Sequence, residues 1–406
     1  MQSIGIVGGG IGGLALALAC RESGLTDISV YEQSPEPVAE PVAEPVATSH
    51  GILLSPNATR VLYALGLKEA LMDAAYHSDA MHYRSHRTGY QISMRPLGAF
   101  AEARYGAPFC QLLRSDLTRL LSERLHERQI DVHYGWHCTR LVEVSEGISL
   151  TFDNGETRRH DLAVGSDGVH SHVRRFMHEE AAPTFTGHVA WRGTTPVADL
   201  PAQFNSHPIT IWLGPGRHIT HFPVGDGEQL AFTAVVETAE PTEESWYEKG
   251  DRKTLVEQFQ DWHPVIQKLV GASQDLHRWP LYDRAPLARW TDGHVTLLGD
   301  ACHPALPYLS QGAALAIEDA WVLSRMLETW EEDITSGLAE YERYRRPRAA
   351  RVQVGSRQEG RNFHLSDRWQ IRWRTLRMAL SSRYQPELAL ERYDWLYGYD
   401  CVKGFD

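Results

Sequence analysis

Gly8, Gly10 and Gly13 stand at the spacing G-x-G-x-x-G, and Glu32 follows 24 residues after the first of them (32 − 8). Glycines at this spacing can hold a pyrophosphate. The first permits a tight turn, the second lets the anion approach the backbone, and the third lets a helix pack closely on a strand. An acid about 20 residues further on can hold a ribose. The flanking residues suit this chemistry. Ile4–Val7 reads as a short buried strand and Leu14–Ala19 as an apolar helix, whose N-terminal N–H groups and dipole favour an anion. Ile28–Tyr31 reads as a second strand ending in Glu32. A glycine turn without a ligand is the alternative, and the spacing weighs against it.

Two further acids stand where strands end. Leu162–Val164 runs into Gly165-Ser166-Asp167-Gly168 and then a helix containing Arg174; Asp167 could be a ligand or only a helix cap. Val295–Leu298 runs into Gly299-Asp300-Ala301-Cys302-His303-Pro304. A loop with Pro307, Tyr308 and Gln311 follows, and Gly312 opens a helix over 313–327. Ligands of open α/β sheets bind at such strand ends, and the prolines fix the backbone of a loop that could lie against a flat ring.

The elements that must carry these groups alternate between two patterns. Helices are expected near 57–67 and 117–128, and strands at 130–134 and 138–152, with a hairpin turn at Asn154-Gly155. Residues 81–94 read as a strand pair, and 185–236 as short β-runs separated by Gly and Pro. The second group reads as a separate antiparallel sheet inserted between pieces of the nucleotide-binding unit. Pro264 breaks the helix expected over 252–270 or opens a new one. From Leu338 to about 382 the chain reads as helical, and Arg343, Arg345, Arg346, Arg348 and Arg351 read as a solvated face paired with Glu340 and Glu342. Residues 36–47 repeat Glu-Pro-Val-Ala three times, which forbids regular helix.

Acids exceed Lys plus Arg by 52 − 40 = 12, which argues against nucleic acid and anionic membranes as partners. An anionic substrate would need local arginines to overcome that field. Five dispersed cysteines without C-x-x-C suit a reducing cytoplasm, and neither a signal peptide nor a membrane span is expected.

The ordered set GGGIGG with Glu32, GSDG with Arg174, and GDACHP with Pro307 and Gln311-Gly312 resembles the class A FAD-dependent aromatic hydroxylases of the para-hydroxybenzoate hydroxylase fold, over nearly the whole chain. Around Pro96-Leu97-Gly98 and Tyr393–Asp400 it resembles the salicylate hydroxylase, 3-hydroxybenzoate 6-hydroxylase and 6-hydroxynicotinate 3-monooxygenase group. The implied fold is α/β: a Rossmann-like FAD-binding domain (GR2 type) with an inserted antiparallel β-sheet substrate domain and a helical C-terminal tail. The expected division is 1–80, 109–182 and 277–330 for FAD, 81–108 and 183–276 for substrate, and 331–406 for the tail.

The resemblance implies that Gly8, Gly10 and Gly13 hold the FAD pyrophosphate and Glu32 the adenosine ribose. It assigns Arg114 to the phosphate or ribityl region, Asp167 and Gly168 to FAD and nicotinamide, and Asp300 to the ribityl chain. Pro307, Gln311 and Gly312 would line the isoalloxazine. NADH or NADPH and O2 would be co-substrates, with no metal. A C4a-hydroperoxide of the flavin would be attacked by a small phenolic or hydroxy-heteroaromatic acid. Under this reading His221 is the expected base, with Tyr308 at the flavin–substrate junction. Arg192, Arg84 and His50 are candidates for substrate binding. A monomer or homodimer is expected. Ser166 stands where the family commonly has Ala, and Ala314 where an Asn is frequent. A larger secondary metabolite as substrate, or NADH oxidation without hydroxylation, are the alternatives.

Overall fold

The computed structural model describes residues 3–36, 50–145, 147–178, 182–204, 208–238, 249–384 and 388–405. Nearly all of the Glu-Pro-Val-Ala repeat lies outside them. A six-stranded sheet has the spatial order Thr291–Asp292, Val295–Leu297, Leu162–Gly165, Ser3–Val7, Asp27–Glu32, Asp131–Tyr134. All neighbours are parallel except the first pair. Central strands of such a sheet are covered on both faces, which explains why Ile4, Ile6, Leu162, Ala163 and Val164 are apolar and fully buried. The helix Ile11–Glu22 is buried all round from Gly13 to Cys20, so it shows no polar face. It packs on the helix Gly312–Thr329.

A seven-stranded sheet forms the second layer, in the order Gln274–Asp283, Thr184–Pro196, Gln229–Glu237, Arg217–Val224, Ile209–Gly214, Ala80–Ser85, Gln91–Pro96. The strand pair near 81–94 therefore joins the later β-runs. The sheet is antiparallel except where Ile209–Gly214 runs parallel to Ala80–Ser85, because those strands come from distant parts of the chain. One face closes on the main core. The other carries a separate core of Trp191, Trp212, Ile219 and Phe232 under the helices Arg252–Gln258 and Pro264–Gly271. Pro264 opens the second of these helices, at a position where its missing N–H costs nothing.

The tail holds two long helices, Ile334–Phe363 and Arg368–Tyr384, followed by the short helices Leu388–Glu391 and Asp394–Tyr397. Its arginine cluster is not a single solvated face. Arg343 and Arg346 pair at the surface with Glu340 and Glu342, but Arg345 and Arg348 are buried. Arg345 bonds Glu318 and Asp319 at 2.7 Å each, and Arg348 bonds Glu318 at 2.6 Å. Helix periodicity puts 345 and 348 on one face, and that face meets Gly312–Thr329.

Candidate active site

The glycine turn is built by close approach. Gly8 has φ +109°, and a Cβ there would lie 2.5 Å from the Ser166 carbonyl oxygen. A Cβ on Gly13 would lie 2.0 Å from the Gly8 oxygen. At Gly10 the nearest atom to a Cβ is the Arg114 guanidinium, 4.0 Å away. The turn is therefore closed on the protein side and open toward a cation. Gly10 opens the helix Ile11–Glu22, which has no acid in its first turn and no side-chain cap. This cradle fits a pyrophosphate. Glu32 sits at the end of its strand and accepts the Gly9 and Ser34 N–H groups at 2.6 and 2.7 Å, which fixes the turn while leaving carboxylate lone pairs for a ribose. The Ser166 hydroxyl lies 2.8 Å from the Gly8 oxygen, so this departure from the family pattern ties the two turns together.

Asp167 acts as a helix cap here. Its Oδ2 accepts the N–H groups of His172 and Val173 at 2.7 and 3.2 Å, while Oδ1 is buried with no partner among the described residues. Gly168 beside it has φ +77°. Arg174 donates to the Val169 and Ala301 oxygens at 2.5 and 2.8 Å, joining this turn to the one bearing Asp300. Asp300 faces the N-terminus of Gly312–Thr329; a Cβ on Gly312 would be 3.9 Å from Oδ1. Burial raises the Asp300 pKa, and His303, Arg114 and Arg192 pull it back. Arg192 lies with its guanidinium 3.5 Å from the Trp279 ring centroid, and burial with the nearby Arg114 pushes its pKa down to about 9.

Asp300, Arg114, Arg192 and Trp279 line a cavity of about 220 Å³ between the two sheets. Asp300, Pro307, Tyr308, Gln311 and Gly312 line one wall, and Arg114, Arg192 and His50 another. Gln311 has its amide committed to Ser55 at 2.8 Å and Asn57 at 3.1 Å. The loop 304–312 is tied to the long helix by Gln353 on the Pro304 oxygen and Ser356 on the Leu306 oxygen.

Two of the residues expected at the substrate do not reach the cavity. His221 points to the opposite face of its strand, where it accepts a hydrogen bond from Trp212 Nε1 at 3.1 Å and sits edge-on to Phe204. Arg84 bonds the Gly89 oxygen at 3.0 Å and lies 5.9 Å from the Trp212 ring centroid on that same outer face. Side chains alternate across a strand, so His218, Thr220 and Phe222 line the cavity while Ile219 and His221 cannot. The period of two, anchored on Phe222, was the available signal.

His218 belongs to a group that no local pattern announces. Its Nδ1 lies 2.8 Å from His364 Nε2, and the Tyr308 hydroxyl lies 2.6 Å from His188 Nδ1. The remaining nitrogens of His188 and His364 converge on Glu237 Oε1 at 3.8 and 3.7 Å. Glu237 is 47% exposed, so the group runs from cavity to solvent. Burial lowers the pKa of all three histidines, that of His218 to about 3, and raises that of Tyr308.

Residues 1–356 match the family described as FAD binding domain. Among curated relatives, the chain is 36% identical over 399 residues to 3-amino-4-hydroxybenzoate 2-monooxygenase PtnB3 of Streptomyces platensis, covering 98% of this chain and 96% of the relative. It is 33% identical to 3-hydroxybenzoate 6-hydroxylase of Polaromonas naphthalenivorans, covering 97% and 95%. The crystal structure of Klebsiella pneumoniae HpxO complexed with FAD and uric acid superposes with a TM-score of 0.81 at 27% identity, covering 96% of this chain and 95% of that one. An open glycine cradle, Asp300 at a strand end on the cavity wall and this likeness over nearly the full length agree: the chain belongs to the FAD binding domain family and is a class A flavin-dependent aromatic hydroxylase with FAD as its cofactor.

Proposed function

We infer that the protein hydroxylates a small phenolic or hydroxy-heteroaromatic acid, with NADH or NADPH as reductant and O2 as oxidant. The observation that carries this reading is His218 on the cavity wall, its ring 5.6 Å from that of Tyr308 in the Pro307–Gly312 loop, with a hydrogen-bonded partner behind it. FAD, when bound, supplies the hydride acceptor and the activation of O2. Gly8, Gly10, Gly13, Glu32, Arg114 and Asp300 would hold it, with Asp167 and Gly168 beside it.

The chain's own residues do the rest. Arg192 and His50 hold the substrate carboxylate, since Arg192 faces the cavity and its Nε has no partner among the described residues. Neutral His218 takes the phenol proton and passes its Nδ1 proton to His364 Nε2; His364 releases its own toward Glu237 and solvent. Tyr308, kept protonated by its raised pKa, stays a hydroxyl that orients His188. Ile209, Ile211 and Phe222 exclude water from the reacting ring.

Relatives named as hydroxylases of 3-amino-4-hydroxybenzoate and 3-hydroxybenzoate support this substrate class. Five buried, unpaired cysteines agree with a cytoplasmic setting, and a monomer or homodimer is expected. The test is a panel of hydroxybenzoates, aminohydroxybenzoates and hydroxynicotinates scored by NADH and NADPH oxidation, with peroxide measured alongside. One acid should accelerate oxidation and give little peroxide. Equal oxidation without any aromatic, all ending as peroxide, would refute the reading.

A further inference from the structure

A second cavity, of about 610 Å³, lies between the strand Gln91–Pro96 and the two tail helices. It shares Arg95, Glu359 and Phe363 with the first cavity, so these side chains wall both. The inner side of Phe363 lies 5.0 Å from the His218 ring, between centroids. Four guanidinium groups line the second cavity, from Arg95, Arg374, Arg377 and Arg392, against the one carboxylate of Glu359. The excess of three positive charges (4 − 1) stands in a chain of formal net charge −12.

Glu359 is already engaged, 3.5 Å from Arg392 and accepting the Tyr393 hydroxyl at 3.1 Å. Arg95 is buried, donates to the Tyr393 oxygen at 2.9 Å, and stacks on Tyr83 and Tyr393. Arg374 donates to the oxygens of Asn362 and Phe363 at 2.5 and 3.4 Å, while its Nε is buried with no partner among the described residues. Partly buried cations short of anions are costly, and a bound anion would relieve them. The mouth lies at Trp373, which is 65% exposed, and at exposed Arg377. An acidic surface repels a benzoate-like anion, whereas a cleft of opposite sign concentrates it.

We propose that this second cavity is an antechamber for the aromatic carboxylate. The anion enters past Trp373 and Arg377, is held at Arg374, and passes the Phe363 wall to reach His218. This rests on the reading of the substrate as an aromatic acid.

The test compares kcat/KM of the holoenzyme for the acid and for its neutral carboxamide, in wild type and in the double variant Arg374→Gln, Arg377→Gln, from about 20 to 500 mM salt. The variant should lose about tenfold in kcat/KM for the acid, together with most of its salt dependence, and keep its carboxamide turnover. Arg374→Lys with Arg377→Lys should restore the acid. Equal kcat/KM for the acid in wild type and variant would overturn the proposal. So would parallel losses for acid and carboxamide, or a rise in KM confined to NADH. If wild type responds to no aromatic acid, the substrate reading fails; if wild type turns the acid over and the variant matches it, only the antechamber fails.

Discussion

His218 and His221 are three residues apart and lie on opposite faces of one sheet, so their substitutions should separate. His218→Asn should lower kcat by about 10²–10⁴ without changing FAD content, as expected for loss of a general base. His221→Asn should cost stability and leave kcat near wild type; a kcat loss at His221 equal to that at His218 would contradict the assignment. Both imidazoles are held neutral by burial, with pKa pushed down from 6.5 to about 3. The unfolded chain therefore binds more protons than the native one between these values. Stability is full above about pH 6.5 and falls as pH drops toward 3, by up to about 1.4 kcal/mol per pH unit per histidine. The melting temperature should fall with acidification, less steeply in His221→Asn; a flat profile across that window would refute it. The resemblance pointed to His221 in this strand. Which of its histidines faced the cavity depended on the pleat, and His188 and His364 come from elements far away in the chain, so no spacing links them.

At the scale of elements, the glycine turn was legible because its chemistry is local: each glycine answers to a neighbour within one strand, turn and helix. Gly13→Ala would drive a methyl into the Gly8 oxygen and the Ser166 hydroxyl. The variant should purify with little or no FAD and fail to turn yellow when FAD is added; full FAD content would contradict the cradle. The tail was less legible. A run of arginines resembles a solvated face until a partner helix is known, and Glu318 and Asp319 lie about one helix-length earlier in the sequence. Arg345→Met leaves Glu318 held by Arg348 and Asn57 but takes one partner from Asp319. Removing one member of a buried ion network costs about 3–5 kcal/mol. Denaturant unfolding should show it, and a change below about 1 kcal/mol, the level of exposed pairs, would contradict this role.

For the whole molecule, the cavity closes only where the parallel sheet, the seven-stranded sheet and the loop 304–312 meet. Five of the six strands of the first sheet could be read from apolar runs ending in glycine or acid; the two-residue edge strand Thr291–Asp292 could not. The second sheet could be read as β-rich, but its parallel junction and its outer core are set by long-range pairing. A cofactor bound across this junction stabilises only the native state, so stripping FAD should lower the melting temperature and adding it back should restore it. Unchanged melting would place the cofactor elsewhere. The most direct measurement of the central claim is mass spectrometry of the product formed from the accelerating aromatic acid under isotopically labelled dioxygen. One labelled oxygen atom in the hydroxylated ring for each NADH consumed is the expected result. An unlabelled aromatic, with all label recovered in peroxide, would contradict it.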